Sequence, residues 1–247
     1  MRAKIQKTAI PLAFWLAVWT IAAALVGREL ILPGPGAVVR SLALLMAEPD
    51  FWRSAVLSLL RVGLGFLLGV VLGTGLGALT AASRWADLLL SPALKVVRTV
   101  PVVSFILLLY FSLGTAWVPV AVAGLMALPV VWRAARQGIA AADPRLLELA
   151  DHYRLGPWQT LRLVYLPACM PALAAGWETA LGLAWKSGVA AEVLTQPKWA
   201  AGTQLQAAKM LLDTPSLVAW TVAIVLLSMG CEALLRLALG RWREDKM

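Results

Sequence analysis

The sequence predicts an all-α, polytopic membrane protein with about six transmembrane helices. Three observations carry this. Of its 247 residues 61% are hydrophobic and only 14% charged, too few charges to cover a water-exposed surface. Mean hydropathy is +0.80, and the apolar residues fall in long blocks without amphipathic spacing. The net charge of +9 is concentrated in particular connections between those blocks, as topology requires and nucleic-acid binding does not. The lipid bilayer is therefore the first partner, and no nucleic acid is expected.

A crossing needs about 20 mainly apolar residues, because a lipid-facing backbone must satisfy its own hydrogen bonds. Six stretches qualify: 9–26, 55–82, 88–111, 117–132, 171–191 and 217–239. The first is too long for a signal-peptide core, lacks a clear small-residue cleavage site and is read as an anchor. The third is interrupted by Lys95, Arg98 and Pro101, and the fourth is shortened by Pro119 and Pro129.

An even number of crossings puts both termini on one side. Arg2, Lys4, Lys7, Arg84, the arginines from 133 to 162, Arg236, Arg241, Arg243 and Lys246 then share a face, while the opposite face keeps Arg28, Arg40, Arg53, Lys198 and Lys209. The bias assigns the termini and the long loop after the fourth crossing to the cytoplasm. A multi-pass inner-membrane location follows, with residues 1–247 as a single domain.

Between the first two crossings, Pro33-Gly34-Pro35-Gly36 breaks the chain before a short helix over 37–47 on the outer face. The second crossing carries Gly65, Gly69, Gly73 and Gly77 at four-residue intervals, with Gly63 and Gly75 beside them. Such a stripe admits close helix approach, within one subunit or between two.

The loop at about 140–170 is the most informative segment. Asp143 followed by Pro144 is a helix start, and Leu146, Leu147, Leu149, Ala150 and Tyr153 give that helix one apolar face. Gly156-Pro157 stops it. Trp158, Leu161, Val164 and Tyr165 begin a second short helix, which Leu166-Pro167 is expected to end. An amphipathic helix held between two crossings is shaped to be gripped by a soluble partner.

Glu148-Leu149-Ala150, with Leu166-Pro167 beyond it, resembles the EAA loop of bacterial ABC-importer permeases, whose helix docks on an ATPase subunit. The likeness departs at one position, since the glycine usual six residues after the glutamate is Arg154 here, with Gly156 two residues later. Leu32-Pro33-Gly34-Pro35, Arg98-Thr99-Val100-Pro101 and Trp185-Lys186-Ser187-Gly188-Val189-Ala190-Ala191-Glu192 are similar to the branch serving nitrate, sulfonate, taurine and thiamine precursors. The resemblance implies a type I ABC importer permease fold and transport of a small solute of that kind. It also implies a second permease copy as a homodimer, ABC ATPase subunits, and an external solute-binding protein. ATPase coupling would fall on Glu148, Leu149, Ala150, Asp151, His152, Tyr153, Arg154, Leu155 and Gly156.

No Gly-x-x-x-x-Gly-Lys-Ser/Thr stretch occurs in the chain, so ATP and Mg belong to a partner ATPase, and this chain is expected to bind no cofactor and to be no enzyme. One histidine and two distant cysteines offer neither a metal site nor a catalytic group, and no inverted repeat favours the alternative of an ion-driven secondary transporter.

Charged residues within crossings are costly and mark cavities, partners or interfaces. Arg61 is read as snorkelling outward and Lys95 as reaching the cytoplasmic interface. Arg98, beside Pro101, serves either as a brace for the broken helix or as an anion-attracting charge. Glu178 and Lys186, two turns apart, are expected on similar faces of the fifth crossing, paired with other helices or lining a path, and Glu192 to brace its outer end. Arg98, Glu178, Lys186 and Glu192 are thus the candidates for the translocation path. Lone His152 is read as a partner contact.

Overall fold

The structure is a computed structural model that describes the backbone of residues 2–244 and the side chains of residues 10–240. The terminal cations Arg2, Lys4, Lys7, Arg241, Arg243 and Lys246 therefore lie outside the described side chains. The described residues are helical throughout apart from short connections: α1 Arg2–Val26, α2 Pro35–Ala47, α3 Pro49–Ala82, α4 Arg84–Thr99, α5 Val102–Tyr110 and α6 Val118–Ala140 come first. They are followed by α7 Pro144–His152, α8 Pro157–Thr160, α9 Leu166–Thr195, α10 Ala201–Met210 and α11 Thr214–Glu244.

Among the described residues three helices are long and apolar enough to cross a bilayer, Pro49–Ala82, Val118–Ala140 and Thr214–Gly240, or four if the bent pair α4 and α5 is one crossing. α9 has the length, but Glu178, Lys186 and Glu192 interrupt it. In α1 the apolar run Ile10–Val26 is shorter.

Close packing fixes how these helices run. Each glycine of the α3 stripe faces α6 in constant register, Gly65 on Ala123, Gly69 on Ala127, Gly73 on Val131 and Gly77 on Ala135. A Cβ built on Gly69 would lie 2.6 Å from Ala127 Cβ and 2.8 Å from Gly124 O. The stripe is thus used within one subunit, and the rising register means that α3 and α6 are parallel. Gly63 and Gly75 face open space. Trp132 at the far end adds an Nε1–H donated to Thr80 Oγ1 at 2.9 Å.

Parallel α3 and α6 require the chain to return between them, and the return is made by α4 and α5. These are bent by 98° at the break that contains Pro101. Proline provides no N–H for the helix ladder and restricts the residue before it, so the turn falls there. The interruption expected at Pro101 in the third crossing is thus a sharp bend between two helices.

α9 runs antiparallel to α6, because Gly138 meets Cys169, Gly176 meets Ala134 and Gly188 meets Ala123. α11 runs antiparallel to α9: Trp185 Nε1 donates to Ile224 O at 3.1 Å near one end, and Glu178 meets Arg236 near the other. Thr214 Oγ1 donates to Leu30 O at 2.7 Å, joining the start of α11 to the turn that follows α1. α6 lies at the centre, with Val118, Val122, Ala123, Ala127 and Val131 fully enclosed. α2 packs on α11 through the Ser41 and Ser216 hydroxyls, 2.9 Å apart.

Leu166-Pro167 does not end a helix. α8, a five-residue π-helical stretch Leu161–Tyr165, and α9 run on without a break, with Pro167 in the first turn of α9. The wider π turn, in which Leu166 N–H donates to Leu161 O, accommodates the donor that Pro167 lacks.

Candidate functional site

Two regions carry polar groups that packing alone does not require. The first is the loop between α6 and α9. Asp143 caps α7 by accepting the Arg145 N–H at 2.9 Å, with Pro144 opening the first turn. Ala150 is the anchor: at 4% exposure it packs with Ala142 and Val164, flanked by Leu147, Leu155 and Tyr165. On the other faces Glu148, Leu149, Asp151, His152, Tyr153 and Arg154 are exposed, while Leu155 and Gly156 are half-buried. The nine residues of the expected coupling stretch thus divide into six that form a surface free in this subunit, and Ala150, Leu155 and Gly156, which lie against the bundle or at the bend.

The exit from α7 explains the departure at Arg154. Its φ is +54°, in the left-handed region that favours glycine. Leu155 N–H donates to Ala150 O and Arg154 N–H to Asp151 O, both at 2.9 Å, which closes the helix through a left-handed C-terminal turn. The backbone conformation that suits glycine is thus present with a side chain on it. Gly156 then caps α8, its N–H donating to Gln159 Oε1 at 2.9 Å, and Trp158 stands out at 73% exposure.

The second region lies inside the bundle. Glu192 is completely buried, and its Oε2 accepts from Ser58 Oγ at 2.7 Å and from Gly202 N–H at 3.2 Å. Ser58 Oγ in turn accepts from Ala201 N–H at 2.8 Å. Arg61 approaches Glu192 Oε1 at 3.6 Å and donates to the carbonyls of Lys198 and Trp199, both at 2.9 Å. Arg61 therefore turns inward instead of snorkelling, because Glu192 and two loop carbonyls lie within its reach. Backbone φ values of +47° at Gln196 and +54° at Trp199 fold the intervening loop tightly enough to present those carbonyls. Ser58 had no sequence signal of its own, being one hydroxyl in an apolar run.

Glu178 and Lys186 do not share a partner. Glu178 Oε2 lies 3.7 Å from Arg236 Nε on α11, whereas Lys186 is exposed on another side of α9. Lys186 falls in a stripe with Ala172, Ala175, Thr179 and Leu183, at helical spacing. Arg98, in the last turn of α4 before the break, lines two adjoining concavities together with Arg133 and Gln137 of α6. Lys95 lines the first of these concavities. Arg133 counts among the topology cations in the sequence, and nothing local distinguishes it from Arg136 three residues later.

Arg136 is held differently. Its Nη1 and Nη2 reach the two carboxylate oxygens of Asp87 at 2.6 and 3.1 Å, and its guanidinium lies over the Trp132 ring. The Ser91 hydroxyl also donates to Asp87, so the carboxylate is shared between α6 and the next turn of α4. Among the described residues no three of His, Cys, Asp and Glu are grouped to hold a metal ion.

A bundle whose long apolar helices enclose a buried polar node, and which offers an amphipathic handle outside it, is the architecture of a membrane transport permease. The chain belongs to the binding-protein-dependent transport system inner membrane component family, which matches residues 65–243, and is thus a permease of binding-protein-dependent ABC importers. It is 28% identical to the putative aliphatic sulfonates transport permease protein SsuC of Bacillus subtilis, over 93% of this chain and 85% of that one. It is 26% identical to the taurine transport system permease protein TauC of Escherichia coli, over 92% and 85%. The fold is similar to that in the crystal structure of an amino acid ABC transporter with histidines, with a TM-score of 0.63 at 21% identity, covering 81% of this chain and 97% of that one.

Proposed function

We propose that this permease imports a small organic anion of the sulfonate or taurine kind, and that α7 is the element through which a separate ATPase drives it. The observation that carries the reading is the concavity shared by Arg98 and Arg133, cationic and, among the described residues, lined by no carboxylate. The names of its relatives, an aliphatic sulfonate permease and a taurine permease, support the same substrate class.

In this reading two copies of the chain enclose the path, and an external solute-binding protein delivers the substrate. ATP and Mg act on the partner ATPase. Both termini and the α7 handle face the cytoplasm of a bacterial inner membrane, in keeping with the distribution of Lys and Arg. Glu148, Leu149, Asp151, His152, Tyr153 and Arg154 form the gripped surface; Ala150 and Leu155 fix it to the bundle, and Gly156 sets the bend. Lys186, on the exposed stripe of α9, lines the path with Arg98. Glu178 and Glu192 hold α9 to its neighbours on either side of that path.

The test is ATP-driven uptake of radiolabelled taurine and ethanesulfonate into proteoliposomes containing permease, ATPase and binding protein. Charge reversal at Glu148 together with Tyr153→Ala is expected to abolish ATPase co-purification and uptake. Undiminished association and uptake would remove the coupling role from α7.

A further inference from the structure

The groove beside α6 consists of two adjoining concavities of about 520 and about 600 Å³, within the size range of small-ligand sites. Arg98, Pro129, Arg133 and Gln137 line both. One continues toward Lys95 and Arg136; the other opens onto α9 at Ala172, Ala175, Gly176 and Thr179.

The charges in this groove are not balanced. Its lining includes Lys95, Arg98, Arg133 and Arg136 and no carboxylate. Asp87 is taken up by Arg136 and also lies in the field of Lys95. Among the described residues no carboxylate comes within 4.0 Å of Arg98 or Arg133. Topology would be served by cations anywhere at this end of the bundle. It does not require that guanidinium groups from two different helices converge on one hollow, beside a 98° break in the chain. Guanidinium forks match the oxygens of sulfonate, sulfate or phosphate groups, and such contacts strengthen where water is partly excluded. Opposite the cations, the short side chains of α9 leave room for the remainder of a small molecule.

We propose that this groove binds the oxyanion group of the transported solute, with Arg98 and Arg133 as its charged ligands and Gln137 as a neutral hydrogen-bonding group. The inference rests on the reading of the chain as an anion importer, and it assigns that anion a place on the permease itself.

Binding is measured by equilibrium dialysis of radiolabelled ethanesulfonate against the assembled permease and ATPase in phosphatidylcholine nanodiscs, with no binding protein present. Saturable binding is expected. Arg98→Gln and Arg133→Gln should each weaken it by about tenfold or more, the range of a lost charge-assisted hydrogen bond. The double variant should abolish it, and Arg98→Lys should restore part of it. Arg84→Gln, a cation at the same end but outside the groove, should leave it unchanged. Thermal unfolding of each variant separates loss of ligand from loss of fold.

Absence of saturable binding in the unaltered protein, or equal binding by a well-folded double variant, overturns the proposal. Repeating the measurement with phosphatidylglycerol in the nanodisc distinguishes a lipid headgroup from a solute. If the double variant loses retained phosphatidylglycerol but keeps ethanesulfonate, the cations serve lipid and the proposal falls. The importer reading fails separately, by absence of ATP-driven uptake while the groove still binds the anion.

Discussion

Ser58 on α3 donates its hydroxyl to Glu192 on α9 across 2.7 Å, with both residues completely buried. The same hydroxyl accepts from Ala201, and the same carboxylate from Gly202, so two side chains tie three helices together. Removing Glu192 would leave the Ser58 hydroxyl and the Gly202 N–H without their acceptor and Arg61 without its counter-charge. Glu192→Ala is therefore expected to destabilise the protein by roughly 3–5 kcal/mol, as for breaking a buried charged pair. Glu192→Gln, which keeps one acceptor oxygen, should cost less. Thermal unfolding of the purified protein in detergent checks this; equal midpoints for the Ala variant and the parent would refute it.

The glycine stripe makes a paired forecast. Gly69→Ala drives a methyl group into Ala127 Cβ and the Gly124 carbonyl, and backbone must move to admit it. About 1–3 kcal/mol of stability should be lost, the usual effect of overpacking. Gly75→Ala enters open space on the same helix and should be neutral or stabilising by up to about 1 kcal/mol. A scan in which both substitutions behaved alike would mean that α3 and α6 do not meet as described.

Arg154→Gly should stabilise the protein, by about 1 kcal/mol, because it relieves a side chain at φ +54°. Arg154→Ala keeps the Cβ and should bring no such gain. Comparing the two in thermal unfolding isolates the backbone contribution from that of the charge, and a larger gain from alanine would contradict it.

Asp87 and Arg136 brace the start of α4 against α6. Asp87→Asn and Arg136→Gln should each lower the thermal unfolding midpoint, and the double variant should lose less than the sum of the two, because each single change already removes the pair. Strictly additive losses would exclude the pairing.

The sequence makes legible those features that depend on neighbours along the chain. The apolar blocks, the Asp143-Pro144 helix start and the spacing of Gly65 to Gly77 each reflect local or periodic chemistry. Arg61 was misread because its partner stands more than a hundred residues away on α9, and a lone arginine near a membrane boundary has an ordinary explanation in snorkelling. Pro101 announced a break, but the 98° bend and the broken crossing it makes emerge only once α3 and α6 are known to run parallel. Leu166-Pro167 failed as a terminator because a π turn accommodates the missing donor, an option that residue spacing does not reveal. Arg133 was hidden by its company, since a cation that marks topology and one that lines a hollow look identical in one dimension.

From Pro157 to Thr195 the chain is continuous helix, and its α9 portion alone, 30 residues, is about 45 Å long. One end carries the exposed indole of Trp158, and the other ends three residues beyond the buried carboxylate of Glu192. A rod of that kind is stiff along its axis and yields most readily where its ladder is already widened, at the π turn. Displacement applied at the indole must therefore be absorbed where the ladder is interrupted, at Leu161–Tyr165 or at Pro171, or arrive at the bolt that fastens the opposite end.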